Sequence, residues 1–208
     1  MYARLYKGVG PRPGWPADSG FEVAVGALLT QNTAWRHVNR AIATLKARRL
    51  LSARSLYDVP DRDLAEAIRP AGYYNVKARR LKNFVNFLFE ECNGDLDRFL
   101  SGDLGTLRER LLSVNGVGPE TADSILLYAG NKPTFVVDAY TRRILFRHNC
   151  TPEEIPYDEL RSFFMDCLEP DTTMFNEYHA LLVRLGHTFC VRKDPKCTEC
   201  PARGWNEE

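Results

Sequence analysis

The sequence predicts an all-α protein of roughly nine helices, and three observations carry that prediction. Apolar residues recur at spacings of three and four along most of the chain. No segment alternates apolar and polar residues as a half-buried strand does. The prolines fall between the periodic segments or in their first turns, where a missing N–H is tolerated.

The first helical segment holds Phe21, Val23, Val25, Ala27, Leu28 and Leu29. The second puts Val38, Ile42 and Leu45 on one face and turns Arg36, Arg40 and Lys46 elsewhere. Further helices are predicted over 61–68, 77–91, 104–113, 119–129, 139–148, 157–168 and 175–187. Asp61 and Asp158 look like helix starts, and Pro60, Pro70, Pro119, Pro133, Pro152, Pro156 and Pro170 punctuate the pattern. Neither an internal repeat nor a long flexible linker interrupts it.

Composition bounds the class. The 208 residues are 44% hydrophobic and 26% charged, which suits one compact domain or two small ones and excludes a disordered chain. No run approaches the length of about 18 apolar residues that crosses a membrane, and Met1 to Pro16 lacks the apolar stretch of a signal peptide. A soluble, cytoplasmic protein is expected.

The net charge of +1 hides an asymmetry. Residues 151–171 hold seven acids (Glu153, Glu154, Asp158, Glu159, Asp166, Glu169 and Asp171) against the single base Arg161. Bases cluster at Lys46/Arg48/Arg49, Lys77/Arg79/Arg80/Lys82, Arg142/Arg143/Arg147 and Arg192/Lys193/Lys196. A positive face with an acidic back suits a phosphate backbone, although solvated helix faces give the same pattern. Of six cysteines, Cys92, Cys150 and Cys167 are isolated, whereas Cys190, Cys197 and Cys200 crowd together near the end. Without a secretory signal, a disulfide framework is not expected.

Residues 114–129 carry the most specific local signal. A helix stops at Asn115-Gly116, a tight Gly116-Val117-Gly118 turn follows, and Pro119 opens a new helix. The glycines allow positive φ and close approach of another backbone. Amides exposed at that helix start suit a phosphate.

Four further stretches stand in order around this turn: Ala27-Leu-Leu-Thr-Gln-Asn-Thr33, Gly72-Tyr-Tyr-Asn-Val-Lys-Ala78, Val136-Val-Asp-Ala-Tyr-Thr-Arg-Arg143 and the cysteine-rich tail. With them the sequence resembles the helix-hairpin-helix DNA glycosylases of the endonuclease III superfamily, over nearly its whole length. The resemblance implies two helical subdomains with a DNA cleft between them. Residues 20–131 would form the one with the hairpin; 1–19 and 132–208 would form the one with the cysteine loop. It further implies a monomer acting on double-stranded DNA with a damaged base, in the cytoplasm at the nucleoid, without membrane association.

The same resemblance makes Asp138 the catalytic carboxylate, while its local role reads equally as a helix N-cap. Cleaving an N-glycosidic bond develops oxocarbenium character, and a fixed anion stabilises that charge. Glu120 stands where strand-cutting members carry a lysine that forms a Schiff base, and a glutamate has no amine. A monofunctional hydrolase follows, with Lys132 as a substitute amine in a bifunctional, oxidised-pyrimidine alternative. A non-catalytic DNA-binding module is the third reading. Gln31 and Asn32 correspond to the polar wedge that fills the gap left by a flipped nucleotide, and Tyr73 to the second wedge. Gly14-Trp15-Pro16 and Thr33-Ala-Trp35 resemble the branch acting on alkylated purines such as 3-methyladenine, where Trp15 and Trp35 would sandwich a cationic base. Cys190, Cys197 and Cys200 match three of the four cysteines of a [4Fe–4S] loop. The fourth position holds Asn206, which leaves His187 as a substitute ligand, a zinc site, or loss of the metal as alternatives.

Overall fold

The computed structural model describes residues 1–11 and 14–205. Among them the helices are α1 (Tyr2–Val9), α2 (Gly20–Thr30), α3 (Trp35–Ala47), α4 (Ala53–Asp58), α5 (Asp61–Ala67), α6 (Tyr74–Cys92), α7 (Leu96–Leu100), α8 (Leu104–Leu112), α9 (Pro119–Ser124), α10 (Ala139–Arg147), α11 (Tyr157–Cys167) and α12 (Thr172–Thr188). The described residues contain no strand. The chain forms two compact units, one of Ala17–Lys132 and one of Met1–Pro16 with Pro133–Glu208.

The first unit is built around α2. Every residue from Glu22 to Leu29 is buried, so the helix is enclosed on all sides by α3, α6, α9 and the segment after α9. Its start is well specified. Ser19 Oγ accepts from the Glu22 amide at 3.2 Å, and Glu22 reaches back to the Asp18 amide at 3.1 Å. The buried Glu22 carboxylate is paired with Lys46 at 2.7 Å.

In the second unit α12 packs against α10 and α1. Phe135 and Phe164 stack with centroids 3.9 Å apart, and Phe175 and Tyr178 meet them edge-on. Each such buried ring contributes about 1.5–3 kcal/mol.

Three helices appear where none is predicted from sequence: α1, α4 and α7. α4 and α7 are six and five residues long, and α4 buries a single side chain, Leu56. Elements of five to eight residues span too few turns for a period to be read. The segment predicted as a helix over 119–129 changes form. After Ser124 it widens to a π-helical turn at Ile125–Ala129, where the Gly130 amide bonds to the Ile125 carbonyl at 3.0 Å. No helix among the described residues is long and apolar enough to cross a membrane.

Candidate functional site

The unit of 17–132 gathers the hairpin and both expected wedge turns. Gly116 has φ 101, and a Cβ there would collide with the Arg80 side chain, so glycine is required twice over. Gly118 differs from expectation. Its φ is −93 and a Cβ would meet open space, so neither strain nor crowding inside the protein demands glycine there. Val117 is buried beneath the turn.

Gln31 braces this hairpin. Its Nε2 donates to the Gly116 carbonyl at 2.9 Å and to Thr121 Oγ1 at 2.9 Å, while Arg80 donates to its Oε1. Asn32, the next residue, is exposed with φ 52. Tyr73 is 75% exposed with φ 45. A bulky residue in the left-handed region is uncommon and costs about 1–2 kcal/mol. Glu120 is exposed in the first turn of α9, where an acid meets the positive end of the helix. Lys132 donates to the Gly102 carbonyl at 2.7 Å. Trp35 opens α3 and is partly buried.

Asp138 lies in the other unit, where the apolar run of Phe135, Val136 and Val137 is buried and delivers it to the start of α10. It caps that helix. Oδ1 accepts from the Thr141 amide at 2.8 Å and from the Thr141 hydroxyl at 2.9 Å. Oδ2 faces His179 Nε2 of α12 at 3.7 Å. Burial alone would push the carboxyl pKa up; the buried imidazole of His179 and the Thr141 donors outweigh it and hold the pKa below the ordinary value. A buried carboxylate kept ionised can stabilise a cation beside it.

Trp15 is partly buried in the same unit. Its neighbour Gly14 lies so close to Asn176 of α12 that a Cβ would collide with that side chain. The Trp15 loop therefore rests on α12 one helical turn before His179.

In the tail Cys190 is buried, Cys200 partly buried and Cys197 exposed. Burial pushes the Cys200 thiol pKa up, and the charges of Cys190 and Cys197 add to this. Among the described residues no group of three His, Cys, Asp or Glu side chains is brought together as a metal site. Asn206 lies outside the described residues, and His187 is exposed in the last turn of α12. The loop is held by protein groups. Arg143 donates to the Cys190 and Gly186 carbonyls at 2.7 and 2.9 Å, and Arg147 to the Val191 and Arg192 carbonyls at 2.7 and 2.9 Å. The thiolates are the right donor chemistry for an iron–sulfur cluster, but Cys190, Cys197 and Cys200 are not gathered into a ligand set among the described residues.

Sequence reading missed Lys77 and His179. Lys77 is buried and donates to the carbonyls of Leu29 and Ala71 and to the Thr33 hydroxyl. Each had a signal. Lys77 stands in the core register of Leu81, Phe84 and Leu88, and His179 in that of Phe175 and Leu182.

One unit thus holds a glycine-turned helical hairpin and the other a buried, helix-capping carboxylate. The chain belongs to the HhH-GPD superfamily of base excision DNA repair proteins, whose family model matches residues 25–170, and is a DNA glycosylase of base excision repair. It is 46% identical over 205 residues to a Methanocaldococcus jannaschii protein named as a DNA repair glycosylase, covering 98% of this chain and 92% of that one. It is similar to the H. pylori 3-methyladenine DNA glycosylase MagIII bound to 1,N6-ethenoadenine, with 29% identity, TM-score 0.71, and 82% and 86% of the two chains covered. The fold also matches a trapped endonuclease III–DNA covalent intermediate, with TM-score 0.82, 21% identity and 96% and 89% covered.

Proposed function

We propose that this protein is a monofunctional glycosylase that hydrolyses the N-glycosidic bond of an alkylated purine rotated out of duplex DNA. The observation that carries this is Asp138, buried, accepting two hydrogen bonds from Thr141 as the cap of α10 and held ionised beside His179. As the base departs, positive charge develops on the sugar, and this anion stabilises it without reorganising. Water then takes the place of the base at C1′. Glu120 has no amine for a Schiff base, and the Lys132 amine is engaged by the Gly102 carbonyl.

Asn32 and Tyr73 are the wedge pair in this reading, because both are exposed tips; Gln31, with both ends of its amide engaged inside the unit, braces the hairpin. A cationic methylated purine favours stacking on aromatic rings such as Trp35, which is partly buried at the start of α3. Support for this substrate class comes from the MagIII likeness, at 29% identity. Cys190, Cys197 and Cys200 would hold the metal centre, which would tie down the loop; no step of base release passes through it.

The test is a panel of duplexes, each with one lesion, under single-turnover conditions. Release of 3-methyladenine or 1,N6-ethenoadenine, with oxidised pyrimidines left intact, is expected; the reverse preference would overturn the substrate assignment. Iron analysis of anaerobically purified protein is expected to give about four irons per chain, and protein without iron would show that the cluster is absent.

A further inference from the structure

Lys77 is 2% exposed inside the unit of 17–132. Its ammonium has three hydrogens and meets three oxygens: the Leu29 carbonyl at 2.7 Å, the Ala71 carbonyl at 2.9 Å and the Thr33 hydroxyl. Thr33 Oγ1 also bonds to the Ala71 carbonyl at 2.9 Å, which closes a triangle. Leu29 is in the last turn of α2, and Ala71 ends the short 3₁₀ turn before α6.

Just beyond these anchors stand the two exposed tips. Asn32 has φ 52 and Tyr73 has φ 45, both in the left-handed region without being glycine. Conformations of this kind persist only where the surroundings over-determine them. The arrangement also has a cost in folding, since burial, with help from Arg80, pulls the Lys77 pKa down to about 8. An apolar side chain of similar length would fill the space without burying a charge. The ammonium is there for its three donors.

α6 continues the pattern at intervals of three residues. Arg80 donates to Gln31, whose amide donates to the Gly116 carbonyl at 2.9 Å, and Asn83 Nδ2 donates to the Asn115 carbonyl at 3.0 Å. One ridge of α6 therefore reaches the anchors of both tips and the hairpin.

We propose that Lys77 is a positioning residue of the DNA-probing surface, fastening the 29–33 turn to the 71–73 turn so that Asn32 and Tyr73 meet the duplex as one rigid pair. The proposal rests on the glycosylase reading for what the tips do, but its test needs no chemistry. A duplex with a tetrahydrofuran abasic-site analogue beside a 2-aminopurine reporter is titrated with wild type, Lys77→Met and Thr33→Val. Unstacking brightens the reporter. At saturation both variants are expected to lose most of the wild-type signal, while affinity for undamaged duplex stays within about twofold, since a misplaced tip spoils geometry and leaves the exposed phosphate contacts in place. Full brightening by the variants, or an equal loss of affinity for undamaged duplex, would overturn the proposal. If Lys77→Met fails to fold, Thr33→Val tests the same clasp with the lysine still in place. If wild type brightens the reporter yet releases no base from any lesion, the glycosylase reading fails and the clasp stands.

Discussion

Asp138 is held by contacts that a single substitution can separate. Its pKa is depressed, so its contribution to folding is complete above the ordinary carboxylate value of about 3.9 and is lost as pH falls through the depressed value. A single-turnover pH profile should therefore show no acid limb from this group above about pH 4. His179→Gln removes the imidazole that opposes the effect of burial. It should slow base release about tenfold and move the acid limb upward, with lesion binding unchanged. An unaltered profile would show that His179 only fills space. Lys77 gives a dependence of the same sign in a higher pH window. Its pKa falls from 10.5 to about 8 on folding, so wild type should gain stability over Lys77→Met as pH rises between those values. Chemical denaturation at pH 7.5 and pH 10 measures that difference, and a gap that does not change would refute it.

At the scale of elements, the hairpin offers a paired test. Gly116→Ala forces a Cβ into Arg80 at φ 101 and should cost about 1–2 kcal/mol in thermal unfolding. Gly118→Ala meets open space at negative φ and should leave the unfolding temperature unchanged. Equal losses would contradict this account of the turn. The long helices were legible because α3, α6 and α12 each carry several apolar residues at helical spacing. α4 and α7 were not, since they are held by the packing of neighbours and too short to show a period. Much of the candidate site was legible for a different reason. Asp138 stands directly after a buried apolar run, and Gly116 at a helix end, so both are local signals. The partners Lys77 and His179 were not, because a lone polar residue in a core register does not reveal which distant backbone or side chain it meets. The bracing role of Gln31, 85 residues from Gly116, was hidden for the same reason.

For the whole molecule, a net charge of +1 is too small to hold DNA by bulk attraction, so binding must come from where the charges lie. The acids of 151–171 lie largely on α11 and the segments flanking it, and the basic clusters fall elsewhere in the sequence. Affinity for undamaged duplex should fall steeply with salt, with a log–log slope of about −0.9 for each phosphate contacted. Arg79, exposed on α6, should contact phosphate, so Arg79→Ala should flatten that slope by about one. The hairpin and both exposed tips belong to the unit of Ala17–Lys132, and Asp138 belongs to the other unit. The most direct measurement of this division compares wild type with Asp138→Asn on one lesion-bearing duplex, following base release and binding together, with borohydride trapping of wild type alongside. Base release should be abolished in the variant, its affinity should be kept within about threefold because the amide preserves shape, and wild type should form no trapped adduct. Wild-type release by Asp138→Asn, or an efficiently trapped complex lost in Lys132→Ala, would contradict a monofunctional mechanism driven by this carboxylate.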